Sequence, residues 1–217
     1  MKRVGLDQIL RDLKDSDPEI KRMAAKALLK ESSPEKLIAD ILQDADKPTA
    51  MAVYDVLFED NDDYSAIFMG ASADPDPRIR RQAIRYLFRR GSFDVEHALR
   101  WLEDPDPFVR RRVISYLFWL NGSQAIESIM RLAMEDPDAS VRRDAIKLIA
   151  MWGDKKDAQR IISILEDPSA EVRMHAIHAL KRLTGEDFGD PIGASDDEFE
   201  WIVAKWQGWW EIMKERT

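Results

Sequence analysis

Asp104-Pro105-Asp106-Pro107-Phe108-Val109-Arg110-Arg111-Arg112-Val113-Ile114-Ser115-Tyr116-Leu117 decides the fold. An Asp-Pro turn leads into Val-Arg and then into apolar residues at helical spacing. The phrase returns at residues 74–87, 136–149 and 167–180, and in weaker form from Asp15 to Leu28. Recurrence at about thirty residues predicts stacked helical hairpins, because one hairpin cannot bury its apolar face alone.

Six hairpins register on Ala24, Ala52, Ala83, Val113, Ala145 and Ala176 of their second helices. Four residues before each stands Ile20, Pro48, Ile79, Val109, Val141 or Val172; four after stands Leu28, Val56, Leu87, Leu117, Ile149 or Leu180. With the neighbour of each central residue these form one helical stripe, the face a second helix buries. Hairpin 2 is degenerate, with Pro48 in the stripe and no arginine after it. First helices are expected at about 4–13, 34–43, 63–71, 93–102, 122–134 and 155–165. Gly91-Ser92, Asn121-Gly122-Ser123 and Gly153-Asp154 read as left-handed helix ends. Asp17, Asp76, Asp106, Asp138 and Ser169 stand as N-caps, with Pro18, Pro77 and Pro107 at the first helical position. A second acid lies two residues before each cap: Asp15, Asp74, Asp104, Asp136 and Asp167.

This pattern, Asp-x4-[Val/Ile]-Arg followed by Ala-[Ile/Ala]-x2-Leu, resembles the HEAT repeat in its short bacterial and archaeal form, also called the PBS-lyase HEAT-like repeat. The resemblance covers about residues 4–183. It implies an all-α fold, an α-solenoid (armadillo-like superhelix) of about six HEAT-like hairpins with a C-terminal capping helix. The hairpins would span about 4–30, 34–60, 63–90, 93–120, 122–152 and 155–183. Residues 1–184 would be the solenoid, and 185–217 a loop and aromatic helix of the same domain. The resemblance also implies an Asp–Arg ladder between neighbouring repeats, here Asp15/Lys21, Asp74/Arg80, Asp104/Arg110, Asp136/Arg142 and Asp167/Arg173. The stretch Leu183-Thr184-Gly185-Glu186-Asp187-Phe188-Gly189, with Trp206, Trp209 and Trp210, resembles a C-terminal ending common among such proteins.

The 217 residues can bury a sizeable core without staples, about 70% of the unfolded surface for a chain of this size. There is no cysteine, which excludes disulfides and thiolate metal sites. The opening Met1-Lys2-Arg3-Val4-Gly5-Leu6-Asp7 does not read as a signal peptide, and no apolar run approaches the ~20 residues of a membrane span. A cytoplasmic protein is expected. The net charge of −8 argues against indiscriminate nucleic-acid binding. Charge is uneven, however. Residues 31–76 hold twelve acids against two lysines, and residues 78–112 hold ten arginines against five acids.

If the ladder uses Arg80, Arg110, Arg142 and Arg173, function falls to the outer face of the second helices, which lines the concave surface in the HEAT family. In hairpins 3 to 5 that face and its neighbours gather Arg81, Arg85, Arg89, Arg90, Arg111, Arg112, Tyr116, Trp119 and Lys147. Guanidinium forks grip carboxylate or phosphate in two-point contacts, and aromatic faces stack, so this set is the candidate partner-binding surface. It points to a non-enzymatic scaffold whose protein partner carries an acidic segment. The acidic end of one copy also complements the basic middle of another, an arrangement for head-to-tail self-association.

The acidic run Glu59-Asp60-Asn61-Asp62-Asp63 lacks the turn glycine and closing glutamate of a calcium loop. His175 and His178 share a helix face, but three or four ligands are needed and the third histidine is His97 in another hairpin. No metal or cofactor is expected. The repeated His-Glu pairs of the HEAT-repeat deoxyhypusine hydroxylases are missing, and nothing beyond the repeat suggests a phycobilin lyase. The alternative in another class is nucleic-acid binding, as in the HEAT-like alkylpurine DNA glycosylases, with Asp144 beside Tyr116, Trp119 and Trp152 as the candidate carboxylate. Trp201, Ile202, Trp206, Trp209, Trp210 and Met213 would seal hairpin 6 through an aromatic helix face.

Overall fold

Each second helix opens on a side chain that satisfies backbone N–H groups the helix itself cannot pair. Asp17 accepts from the Glu19 amide, Asp76 from Arg78, Asp106 from Val109, and Asp138 from both Ser140 and Val141. Ser169 caps the last hairpin. In hairpin 2 Asp46 does this work through the Thr49 amide, with Pro48 one position later than in its neighbours. Proline in the first turn has no N–H to orphan, so Pro48 begins a helix rather than breaking one.

A computed structural model describes residues 5–214. Expectations for residues 1–4 and 215–217, including the start of the first helix at residue 4, lie outside them. Among the described residues there are thirteen α-helices, three 3-10 turns and no strand. The fold class is the all-α solenoid of helical hairpins, and the helices fall into two compact units.

The first unit ends at Phe93. It contains α1 (Leu6–Asp12), α2 (Pro18–Leu28), α3 (Pro34–Asp44), α4 (Lys47–Glu59), α5 (Ser65–Ala71) and α6 (Pro77–Arg90). Its core joins Ile9, Ile38 and Phe68 to the inward residues of α2, α4 and α6. In α4 the stripe falls on Thr49, Val53 and Leu57 rather than on Pro48, Ala52 and Val56 of the expected register, because the Asp46 cap starts the helix one residue later. Pro48 is exposed, Ala52 half-buried, and Ile20 of α2 stays 37% exposed. Tyr86 stacks on Phe68 with ring centroids 3.9 Å apart, and its hydroxyl accepts from the Tyr64 amide.

The second unit begins at Asp94. It contains α7 (Val95–Trp101), α8 (Pro107–Trp119), α9 (Ile126–Glu135), α10 (Ala139–Trp152), α11 (Ala158–Ser163), α12 (Ala170–Thr184) and α13 (Asp196–Lys214). The second helices α8, α10 and α12 lie side by side, and α13 packs on α11. On α13 only one side is sealed: Ile202, Val203 and Trp206 are buried, whereas Trp201 is 56% exposed. Trp206 meets Phe188 and Trp209 edge to face at 4.7 and 5.7 Å.

One helix end differs from the sequence reading, and at another the left-handed residue is the asparagine. Gly91 takes the left-handed conformation, but at the next link Asn121 does so (φ 49°) and Gly122 does not. Gly122 is needed for room, since a Cβ there would lie 2.8 Å from Leu117 Cδ2. Gly153 is extended, with a Cβ position 2.7 Å from the Ile149 carbonyl oxygen.

The ladder also has a different register. Arg110 and Arg142 do not grip the carboxylate six residues earlier. Arg110 donates to the Asp104 carbonyl (2.7 Å) and closes its fork on Asp136 of the following repeat at 2.7 and 2.6 Å. Arg142 donates to the Asp136 carbonyl and closes on Asp167 at 2.7 and 2.9 Å. The reason lies in the turn: Asp104, Asp136 and Asp167 already accept from the amides of Asp106, Asp138 and Ser169. Their carboxylates therefore turn away from their own arginine. Lys21 does not meet Asp15 either; its ammonium donates to the Leu13 carbonyl and to the Thr49 hydroxyl oxygen, and in hairpin 2 the ladder position, four residues after the Asp46 cap, is Ala50. Arg173 has no following repeat, and its nearest acid is Glu200 on α13 at 3.8 Å.

Candidate interaction surface

In the first unit the candidate residues sit on α6. Leu87, Ala83 and Ile79 point into the core and fix the helix, so positions 81, 85 and 89 turn outward. The guanidinium groups of Arg85 and Arg89 lie over the Phe58 ring at 4.7 and 4.6 Å from its centroid. Neither has a carboxylate partner among the described residues, and both are exposed. Phe58 thus holds two cations in place by attraction to its π face without neutralising them. Arg81 is half-buried. Arg90 has another task. It donates to the carbonyls of Asp60, Asn61 and Asp62 and stacks 5.3 Å from the Tyr86 ring. That occupies the carbonyls of the acidic loop that follows α4.

In the second unit Arg112 lies 5.8 Å from the Tyr116 ring and has no carboxylate partner among the described residues. Tyr116 itself is 7% exposed, because its position equals that of Tyr86 in the preceding repeat and faces the packed side of α8. Trp119 is 70% exposed and rests edge-on against Phe118. Arg111 is committed: its Nε donates to Asp144 at 2.8 Å. Arg143 holds the other oxygen of Asp144 and reaches Glu171, while Lys147 stands 3.8 Å away. Burial pushes the Asp144 carboxyl up, but hydrogen bonds from Arg111 and Arg143 outweigh it and hold it below the usual carboxylate range. These cross-links form a second tier of polar contacts between repeats, to which Arg22–Glu59 and Gln82–Asp55 contribute in the first unit. Tyr54, which takes the inward place of Ile84 one repeat earlier, is buried, and burial pushes its phenol up to about 12.

His175 and His178 have ring centroids 6.2 Å apart, with His175 Nδ1 at the Glu171 carbonyl. Among the described residues no cluster of three or more His, Asp or Glu side chains could hold a metal ion. No helix among them is long and apolar enough to cross a membrane.

Paired helices with capping aspartates and an arginine fork reading the next repeat define a helical repeat protein. HEAT repeats match residues 65–146 and again 126–204, well over half of the chain. The chain belongs to the HEAT-repeat family. No curated protein matches it in sequence. Among solved structures, it is similar to an engineered protein from the Northeast Structural Genomics Consortium, at 14% identity and TM-score 0.47, covering 83% of this chain and 96% of that one. It is also similar to a structure reported under TOG–tubulin binding specificity in microtubule dynamics and mitotic spindle formation. There the identity is 16% and the TM-score 0.42, covering 92% of this chain and 80% of that one.

Proposed function

We propose that this chain is a cytoplasmic protein-interaction scaffold without catalytic activity, and that its arginine–aromatic positions receive an acidic segment of a partner protein. The observation that carries the reading is Arg85 and Arg89, fixed on Phe58 and left without a carboxylate. Most outward arginines near them are spent on partners inside the fold. Two oriented forks offer hydrogen bonds and charge at little entropic cost, the condition for a strong contact with Asp or Glu. Arg112 and Trp119 offer the same chemistry in the second unit. On the first unit Arg81 adds charge and Arg90 braces the loop beside it; on the second Arg111 and Lys147 add charge and the buried Tyr116 supports Arg112. Asp144 gives no support to a glycosylase reading, since both of its oxygens already accept from arginine.

The test is binding of an acidic, aromatic-containing peptide and of a single-stranded oligonucleotide of equal charge, each over a range of salt. The peptide should bind, and Arg85→Glu with Arg89→Glu should abolish binding. Tighter binding of the oligonucleotide, with affinity falling steeply with log salt, would move the function to nucleic acid. Peptide affinity unchanged in the double variant would place the interface elsewhere. Head-to-tail association of copies belongs to the same reading. Light scattering should show mass falling toward monomer as salt rises, and a monomer at low salt would exclude it.

A further inference from the structure

A cleft of about 490 Å³ opens between the first helices of the first two hairpins, α1 and α3. Leu10, Leu13, Leu37, Ile41 and Ala45 give it an apolar floor. Asp40, Asp44 and Asp46 line its edge, against the single lysine Lys14. Its size is that of a site able to enclose several anchoring side chains.

The acids are placed against the interest of the helix that bears them. Asp40 and Asp44 stand one turn apart on the last two turns of α3, where like charges repel and the negative end of the helix dipole disfavours carboxylates. The last turn of α3 holds no basic residue. Among the described residues Asp40 and Asp44 have neither a hydrogen bond nor an ion pair, and both are exposed. The acidic end of α4 and the loop after it show how the fold treats such a place when it is structural: Arg22 pairs with Glu59, and Arg90 reaches across to the carbonyls of Asp60, Asn61 and Asp62. Among the described residues no side chain does so at the end of α3. A local rule broken without internal compensation marks a position kept for something outside the fold.

We propose that this cleft receives one amphipathic helix of another protein, with leucine-like anchors along one face and Lys or Arg beside them. The two helices form the walls, the apolar floor takes the anchors, and Asp40 and Asp44 meet the flanking cations at the carbonyl end of α3. The negative rim repels nucleic acid and anionic lipid surfaces. This site is separate from Arg85 and Arg89 and of opposite charge, so it stands or falls independently of them.

The experiment uses the full chain with labelled Leu and Ile methyl groups, titrated with a synthetic amphipathic Leu–Lys peptide and with its scrambled isomer. Saturable shifts should appear at Leu10, Leu37 and Ile41, and the scrambled peptide should bind far more weakly. Asp40→Asn with Asp44→Asn should weaken binding about tenfold or more through loss of the two charge contacts. The same change should raise the melting temperature of the free protein by relieving repulsion at the helix end. Shifts centred elsewhere, no binding, equal binding of the scrambled peptide, or undiminished affinity in the double variant would each overturn the proposal.

Discussion

Removing Asp136 tests the ladder most directly. Its carboxylate is 1% exposed and the Arg110 side chain 7%, with contacts of 2.6 and 2.7 Å. Asp136→Ala leaves a guanidinium buried without its counter-charge and deprives the Asp138 amide of its acceptor. Breaking a buried pair on one side costs about 3–5 kcal/mol. Glu200→Ala removes the corresponding partner of Arg173, but that contact is 3.8 Å long and Glu200 is 68% exposed, so the loss should stay under about 1 kcal/mol. Arg110→Met with Asp136→Leu replaces the pair by apolar groups and should recover much of the loss. Urea unfolding followed by tryptophan fluorescence is the assay, because all seven tryptophans lie at Trp101 or later, within the second unit. A shift in midpoint at constant slope reports stability alone. Should Asp136→Ala lose less than about 1 kcal/mol at unchanged slope, the ladder is not the buried support described here.

Asp144 is held below the ordinary carboxylate range, so its contribution is complete above the unfolded value near 4 and is lost as pH falls through the lower folded value. Asp144→Asn should flatten that acid limb in pH-dependent unfolding; an unaltered limb refutes the assignment. Burial lowers the His175 pKa, with the charges of Lys147 and His178 adding to it. The unfolded chain then takes up the proton first, and stability should decline as pH drops below about 6.5. His175→Gln should remove this decline, and its persistence would point to another group. Trp206 is fully buried, and Trp206→Ala should cost about 3–5 kcal/mol by urea unfolding. A cost under about 1 kcal/mol would mean that α13 is not part of the core.

The regular elements were legible because each rests on local chemistry. Asp106 followed by Pro107 can be read as cap and first turn without knowing any neighbour. The stripe Val109, Val113, Ile114 and Leu117 declares its buried side by spacing alone. Relations between repeats were not legible in the same way. Asp136 lies six residues before Arg142 and twenty-six after Arg110, and a periodic sequence offers both pairings equally. What decides is the turn, whose amide captures the carboxylate and rotates it away from its own arginine. The outward surface was readable as a list but not as a division of labour. Nothing in the string Arg89-Arg90 says that one guanidinium lies over Phe58 and the other on the carbonyls of Asp60, Asn61 and Asp62. Tyr116 could have been assigned to the interior from Tyr86, its equivalent one repeat earlier. Asp46 was hidden by the shift of Pro48 by one position. The unpaired Asp40 and Asp44 were visible only as part of a general acidity.

The forward reach of the ladder arginines bears on how such a chain can change its length. Arg110 meets an acid supplied by the following repeat, and Arg142 meets the next in the same manner. Excise one whole period between them and Arg110 would find Asp167 presented by an equivalent turn. Insert a period, and the new arginine and the new acid each find a mate. A gain or loss of one or two residues within a turn offers no such substitute and strands a buried charge. Recombination between repeats therefore passes unnoticed by the ladder, whereas small frame-preserving indels do not. Duplication is the growth route that this polar contact tolerates.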